Sequence, residues 1–317
     1  MLNLVASISE KLGRLHPAAA LSAKPYLRRS NRIRSVYSSL RIESGSLGRE
    51  QVRDIIDGKP VLGTEREIRE VKNAYAAYAL IPELDPCSIE QLKTTHAVMT
   101  RGLVPDSGRF RSGEEGVFSG DRCIFMAPPA RLVPGQMEAL FGWLRTTDVS
   151  PLIAAAVFHY EFVFIHPFSD GNGRMARLWH TLILARWKPV FEFMPLESRV
   201  EAFQENYYSA IAECRAAGNS NAFVEFMLEQ TDAALVEYLR QTSLPEENVS
   251  PYVQRLLSVM DAEYSYAASD LLLLLGIKSK ELLRRLYLNP ALDAGLVAMT
   301  LPDKRKSKNQ RYVRTGM

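Results

Sequence analysis

The sequence predicts a mainly α-helical protein with one short β-hairpin and a separate, basic C-terminal domain. Three observations predict it. Apolar residues recur at helical spacing through most of the first 240 positions. Two short apolar runs flank a Gly-Asp turn near residue 120, the pattern of a hairpin. Charge then divides the 317-residue chain unevenly: from Pro251 to Met317 eleven Lys and Arg face six Asp and Glu, net +5, leaving 28 against 30, net −2, in the rest. The polar stretch Gln241 to Ser250 (QTSLPEENVS) reads as the linker, so domains of 1–240 and 251–317 are expected.

The elements follow in order. Asn31 to Glu43 (NRIRSVYSSLRIE) carries Ile33, Val36, Tyr37 and Leu40 at the i, i+3, i+4, i+7 spacing of an amphipathic helix, with Ser39 and Glu43 four apart on another side. Helical periodicity returns at Gln51 to Asp57, Glu65 to Leu80 and Ile89 to Met99. Between residues 108 and 128, Val117-Phe118 and Ile124-Phe125 supply the strands around Ser119-Gly120-Asp121, and Pro128-Pro129 stops the second. Pro134 to Leu144 reads as a helix, and the apolar run Leu152 to Ile165 is long enough for a buried one. His166-Pro167 ends it, since proline disfavours helical geometry in the residue before it. Helical composition resumes from Met175 to Trp187, then at Arg199 to Arg215 and Ala222 to Tyr238.

In the second domain, Val253 to Ala262, Ser269 to Leu275 and Ser279 to Leu288 read as three helices, with Gly276 as a turn. Leu296 to Leu301 and Arg311 to Val313 read as two strands around a basic tip, PDKRKSKNQ. Composition narrows the setting. Apolar runs such as Leu271 to Ile277 are too short to span a bilayer, and Glu10, Lys11 and Arg14 stand where an export signal would be apolar, so no membrane role and a cytoplasmic location are expected. Cys87, Cys123 and Cys214 are too scattered for a disulfide framework or zinc cluster. His159 and His166 are seven apart with no third ligand, which leaves a zinc hydrolase the weaker reading.

The segment that carries chemistry is His166 to Arg177, HPFSDGNGRMAR. Gly171 and Gly173 let backbone N–H groups approach an anion closely, and a helix N-terminus just beyond adds free donors. Asn172 is a donor for phosphate oxygen, and Arg174 and Arg177, three apart, share a helix face as two guanidinium forks. Asp170 is a hard oxygen ligand suited to Mg²⁺, with Mn²⁺ as an alternative. His166 is the one group in the loop that accepts a proton near neutrality, while Phe168 is expected to pack inward and fix the loop.

This segment resembles the signature of the Fic (filamentation induced by cAMP) family, His-x-Phe-x-Asp/Glu-Gly-Asn-Gly-Arg-x-x-Arg, at every defining position. The resemblance implies a Fic-type helical domain that transfers AMP from ATP to a Ser, Thr or Tyr hydroxyl of a target protein or of itself. On it, His166 is the base, Asp170 holds the metal, Asn172 with the Gly171 and Gly173 backbone contacts phosphates, and Arg174 and Arg177 take the β and γ phosphates. A glycine at 173, where the phosphate-transferring variant carries lysine, favours AMP transfer. Ser39 and Glu43, in a helix spanning about 29–45, resemble the family's inhibitory motif, Ser/Thr-x-x-x-Glu-Gly/Asn, whose glutamate pairs with the last arginine of the signature; Ser44 departs from it. The hairpin is similar to the family's flap, which clamps a target segment by strand pairing. Tyr207 and Tyr208 resemble a tyrosine pair found near the adenine, with Tyr208 the expected ligand-facing ring. Removal of AMP is a variant of this reading, with Glu43 orienting water instead of blocking ATP, and the resemblance implies a homodimer, since related members often form dimers. The C-terminal pattern resembles a winged-helix domain, in which Lys278, Lys280, Arg284 and Arg285 by the third helix and Lys304, Arg305, Lys306 and Lys308 on the wing could meet DNA phosphates or a protein. A DNA-binding regulator that uses the Fic domain as a nucleotide sensor is the alternative.

Overall fold

A computed structural model of the chain describes residues 1–15, 25–43, 45–119, 122–242, 250–261, 264–304 and 307–315. It divides into two units, Met1–Leu15 with Asn31–Leu239 and His16–Ser30 with Arg240–Met317. A short helix α1 (Leu2–Gly13) precedes α2 (Pro25–Ile42), whose residues 25–30 belong to the second unit, and α3 (Arg49–Ile56), α4 (Glu65–Ala79) and α5 (Ile89–Met99) follow in the first. The sequence reading did not single out α1, although Leu4, Val5, Ile8 and Leu12 recur at helical spacing; it buries Ile8 and is tethered at Lys11, whose ammonium meets Asp232 at 2.7 Å. Thr64 begins α4 with a capping box, its hydroxyl accepting from the Glu67 N–H while the Glu67 carboxylate accepts from the Thr64 N–H.

Strands β1 (Gly116–Ser119) and β2 (Arg122–Met126) pair antiparallel as the expected hairpin. Their register slips at Val117/Phe118, a bulge that bends the ribbon. Its turn residues Gly120 and Asp121 lie outside the described residues. Helices α6 (Val133–Thr146), α7 (Pro151–Ile165) and α8 (Asn172–Trp187) follow, then α9 (Leu196–Ala202), α10 (Gln204–Ala217) and α11 (Asn221–Thr242). Apolar around most of its circumference, α7 is buried except along one stripe, where Ile153, Val157, Glu161 and Phe164 are half-buried. It packs on α8, and Phe141, Phe158, Phe162, Trp179 and Phe223 form the core around the pair. Two boundaries differ from the sequence reading. One expected helix over residues 199–215 is split where Phe203 leaves helical dihedrals (φ −120°, ψ 38°), and α8 begins three residues before Met175, because Gly171 turns the chain into it at φ 78°.

The second unit runs α12 (Pro251–Val259), β3 (Ser265–Ala267), α13 (Ala268–Leu275), α14 (Lys280–Leu282), a widened π-type segment Leu283–Leu288, α15 (Asn289–Asp293), β4 (Val297–Met299) and β5 (Arg311–Arg314). The widened turns precede Pro290, which lacks the N–H that would bond the carbonyl four residues back. An antiparallel sheet of order β3-β5-β4 adds a strand to the expected two; three residues are too few for alternation to show in sequence. Leu256, Met260, Tyr266, Leu271, Leu283, Tyr287 and Leu288 make its core. Lys278, Lys280, Arg284, Arg285, Lys304 and Lys308 are exposed, while Arg305, Lys306 and most of the expected linker lie outside the described residues. Among the described residues no helix is long and apolar enough to cross a membrane.

Candidate active site

The loop between α7 and α8 is held open by backbone geometry and by side chains reaching in from elsewhere. His166 closes α7 in the left-handed region (φ 52°, ψ 59°), unusual for a residue with a Cβ and costing on the order of 1–2 kcal/mol. Its N–H still bonds the Phe162 carbonyl at 3.0 Å. Because a carbonyl only accepts, the contact of His166 Nδ1 with the Val163 carbonyl at 3.4 Å puts the proton on Nδ1 and leaves Nε2 as the acceptor. Burial, then the nearby positive charge of Arg111, holds its pKa below the ordinary histidine value, so the ring is neutral near pH 7.

Arg111, which the sequence reading did not single out, bolts this loop to the hairpin. Its guanidinium is buried and donates to four carbonyls: His166 at 2.7 Å, Ile165 at 3.3 Å, Gly113 at 2.9 Å and Pro128 at 2.5 Å. Its own N–H bonds the Pro167 carbonyl at 2.9 Å. Gly113 and Pro128 flank the two strands, so one side chain joins both roots of the hairpin to the candidate base.

Phe168 packs inward as expected, fully buried and stacked on His96 with ring centroids 3.6 Å apart. The Gly108 N–H donates to His96 Nδ1 at 2.9 Å, which leaves His96 Nε2–H to donate to the Asp170 carbonyl at 3.0 Å. Asn172 bonds both ways to the backbone of Phe168, accepting from its N–H at 2.9 Å and donating to its carbonyl at 2.7 Å. Its side-chain amide therefore braces the turn. Gly171, at the N-cap of α8, brings no side-chain cap, so the first N–H groups of that helix remain for an anion.

At that N-terminus the charges converge. Arg177 is 3% exposed and donates to the Ser39 hydroxyl at 3.0 Å, the Ser39 carbonyl at 2.9 Å and Glu43 at 2.7 Å. Arg174 meets the other Glu43 oxygen through Nε at 2.8 Å and donates from Nη2 to Asp170 at 2.8 Å. The Nε contact lacks hydrogen-bond alignment, and the buried Nη1 of Arg174 has no hydrogen-bond partner. Both guanidinium pKa values are raised although burial opposes this, because Glu43 faces each. A methyl group at Gly173 would stand 2.4 Å from a Glu43 carboxylate oxygen, so the glycine makes room for that carboxylate as well as for an anion.

Helix α2 is fastened in this position. Glu197, buried among hydroxyls, accepts from Ser35 on α2 at 2.6 Å, Tyr78 on α4 at 2.9 Å and Thr181 on α8 at 3.1 Å. Gln204 at 3.0 Å and Tyr208 at 3.3 Å both donate to the Ile42 carbonyl at the end of α2. Tyr207 is 2% exposed and shares a 3.0 Å hydrogen bond with His159, while Tyr208 is 48% exposed. On the hairpin, Phe125 packs on Phe164 of α7 at 5.6 Å and lies under the Arg215 guanidinium at 4.3 Å. The side chains of Val117, Phe118 and Ile124 lie outside the described residues, and Ser44 does so entirely.

Asp170 is the residue suited to a metal. Among the described residues no group of three or more His, Cys, Asp or Glu could hold an ion, and the Asp170 carboxylate already accepts from the Gly171 N–H at 2.6 Å and from Arg174. One half-exposed carboxylate fits Mg²⁺ that takes its other ligands from phosphate and water; it does not make an all-protein cage.

Comparison with known proteins identifies the relatives of this chain. The model of the Fic/DOC family matches residues 86–184, and that of the Filamentation induced by cAMP protein Fic-like C-terminal domain matches residues 251–315. A crystal structure of a Fic family protein from Desulfovibrio desulfuricans G20 superposes with a TM-score of 0.74 at 42% identity, covering 100% of this chain and 96% of that one. Fic-1 (aa134–508) from C. elegans superposes with a TM-score of 0.60 at 26% identity, covering 75% and 70%. Among curated proteins, the chain is 28% identical to protein adenylyltransferase fic-1 of Caenorhabditis elegans, over 78% of this chain and 49% of that protein. It is 29% identical to protein adenylyltransferase Fic of Nematostella vectensis, over 75% and 56%. The chain thus spans about half the length of the curated relatives it matches.

Proposed function

The chain belongs to the Fic family, and from that premise we propose that it is a protein adenylyltransferase, restrained by Glu43, that transfers AMP from ATP to a Ser, Thr or Tyr hydroxyl. The observation that carries the reading is the convergence of Arg174 and Arg177 on the one carboxylate of Glu43, at the open N-terminus of α8 and one loop away from His166. Two buried guanidinium groups and uncapped N–H donors suit the terminal phosphates of a nucleotide, and unpaired Nη1 of Arg174 is spare donor capacity there. Relatives named protein adenylyltransferase support ATP as the substrate, and ATP as a substrate suits the cytoplasm.

In this mechanism the neutral Nε2 of His166 takes the proton of the target hydroxyl. The oxygen attacks the α-phosphorus, the new O–P bond forms as the bond to the β-phosphate oxygen breaks, and diphosphate leaves. Arg174 and Arg177 neutralise the leaving diphosphate, Asn172 and Arg111 keep the loop in register, and the hairpin aligns the target by main-chain pairing. Asp170 would hold Mg²⁺, which when bound lowers the charge repulsion between phosphate and nucleophile. Glu43 opposes all of this by occupying the guanidinium groups. A carboxylate at this position can also orient water, which makes hydrolytic removal of AMP from a modified target a variant of this reading.

Incubation of the Glu43→Gly protein with ATP labelled at the α-phosphate tests the reading. Self-modification should rise roughly tenfold or more over wild type, as the guanidinium groups exchange a carboxylate for phosphate, and His166→Ala should abolish it. Label carried only by the γ-phosphate, or no gain in the Glu43→Gly protein, would sink AMP transfer and the restraint respectively. The exposed Lys278, Lys280, Arg284 and Arg285 support a second role, DNA binding through a winged-helix-like domain. Salt-dependent DNA binding that survives His166→Ala, without AMP transfer by either protein, would make that role primary.

A further inference from the structure

An open apolar groove of about 370 Å³ runs between α6 and α7, walled by Leu140, Trp143, Val157 and Phe164 and edged by Gln136 and Glu161. Its polar edge has unmet needs. Glu161 has no hydrogen bond or ion pair among the described residues, and its carboxyl pKa is raised by burial alone. Gln136 Oε1 is buried without a hydrogen-bond partner. Both atoms accept, so the groove offers two acceptors and an apolar wall to an occupant bearing a cation on an aliphatic stem. Arg215, which could otherwise approach from the hairpin side, is engaged over the Phe125 ring.

The groove also adjoins the reaction centre. Phe164 in its wall packs on Phe125 of β2, and Ile165, another lining residue, directly precedes His166. Glu161 is five residues before His166, about 7.5 Å along the helix axis and about 140° around it, a turn that the left-handed conformation of His166 redirects. Residues i and i+2 of an extended strand lie on one face about 6.8 Å apart. A strand lying along β1 or β2, neither of which pairs with a third described strand, could present its hydroxyl to His166 and the side chain two positions away to Glu161.

We propose that this groove is a specificity pocket that receives a lysine or arginine two residues from the modified hydroxyl of the target, with Glu161 as its charge partner. Trp143, Leu140 and Val157 hold the aliphatic stem, and Gln136 supplies a second acceptor. The inference rests on the proposed AMP transfer with the hairpin as target dock, but it can be read separately from that reaction.

The test uses the full chain and nine-residue strand-forming peptides with a central threonine, carrying lysine, norleucine or glutamate two positions away. Binding is measured by fluorescence anisotropy, and transfer of label from α-labelled ATP is followed in parallel. The lysine peptide should bind roughly tenfold tighter than the norleucine peptide, since one charge-assisted hydrogen bond is worth about one decade. Lysine one position from the threonine, on the opposite strand face, should give no such gain. Glu161→Gln, which keeps the side-chain shape, should erase the preference, and Glu161→Lys should shift it to the glutamate peptide. Equal binding of the lysine and norleucine peptides, no measurable binding of either, or a preference that survives Glu161→Gln overturns the pocket. A lysine preference in binding without label transfer supports the pocket and counts against AMP transfer; equal labelling and equal binding of both peptides does the reverse.

Discussion

Replacing Arg111 should uncouple the candidate base from the hairpin while leaving the nucleotide site intact. Four carbonyls lose their donor in Arg111→Met, and two of them, on Ile165 and His166, stand where α7 passes into the loop. At about 1.5 kcal/mol for each charge-assisted hydrogen bond, the loop pair accounts for about 3 kcal/mol, enough to let His166 leave its left-handed conformation. A displacement of about 1 Å at the reacting group costs on the order of 100-fold in rate. In the Glu43→Gly background, where transfer is readily measured, kcat for self-modification should therefore fall about 100-fold, with KM for ATP little changed because Arg174 and Arg177 are untouched. The pH profile separates charge from geometry. Loss of a positive neighbour raises the His166 pKa, so in Arg111→Met the acid limb of kcat moves to higher pH. Arg111→Lys keeps the charge but not the planar fork, so its rate drops while its limb stays in place. A folded Arg111→Met protein whose kcat lies within about threefold of the parent, with an unmoved acid limb, refutes the assignment.

Two further outcomes follow from buried groups. Ser35→Ala removes the one bond that Glu197 makes to α2, so about 1 kcal/mol of attachment should be lost and wild-type self-modification should rise severalfold; unchanged labelling and unchanged thermal stability would show that the tether carries nothing. His180 is buried with its pKa lowered to about 4, chiefly by desolvation, whereas an unfolded histidine titrates near 6.5. The unfolded chain takes up that proton first, so this contribution is complete above about pH 6.5 and falls by about 3 kcal/mol as pH drops towards 4. Urea unfolding from pH 7 to 4 should show the loss in wild type and less of it in His180→Gln; equal slopes would exclude His180 as a source.

What the sequence revealed follows physical locality. His166 to Arg177 is one turn and the start of one helix, so its candidate residues stand together in the sequence, and Phe168, inward and stacked on His96, sits as its apolar ring suggests. Tyr207 and Tyr208 are adjacent, and a helix turns them to different surroundings, one buried against His159 and the other half exposed. The supports were not legible for the opposite reason. Arg111 lies in an ordinary-looking GRFR stretch, and its value depends on carbonyls near residues 113, 128 and 165, which no local pattern brings together. Glu197 likewise looks like a surface acid in LESR until three helices deliver their hydroxyls to it. Asn172 reads as a phosphate donor by type, yet its side-chain amide is engaged by the Phe168 backbone, a difference that only the closed turn shows.

On the proposed reading, these supports also decide which part of the site can move. His96, Arg111 and Asn172 fix the loop through backbone contacts, and Arg177 is buried with the Ser39 hydroxyl and carbonyl as well as Glu43. Glu43 differs from them: its side chain is 29% exposed just past the end of α2, and among the described residues its carboxylate pairs only with the two arginines that phosphate would use. Exchange of that one carboxylate for phosphate would keep both guanidinium groups paired, so the loop need not unfold and no buried cation is stranded. The energetic barrier to activation is then set by how firmly α2 holds Glu43 in place. That firmness resides in Ser35 with Glu197, in Ser38 with Ser198 at 3.0 Å, and in the Gln204 and Tyr208 contacts to Ile42. Tyr208 belongs to both sides of this balance, as the ring suited to adenine and as a donor to α2. A nucleotide that draws Tyr208 onto its base would at the same time loosen the helix that carries the restraint.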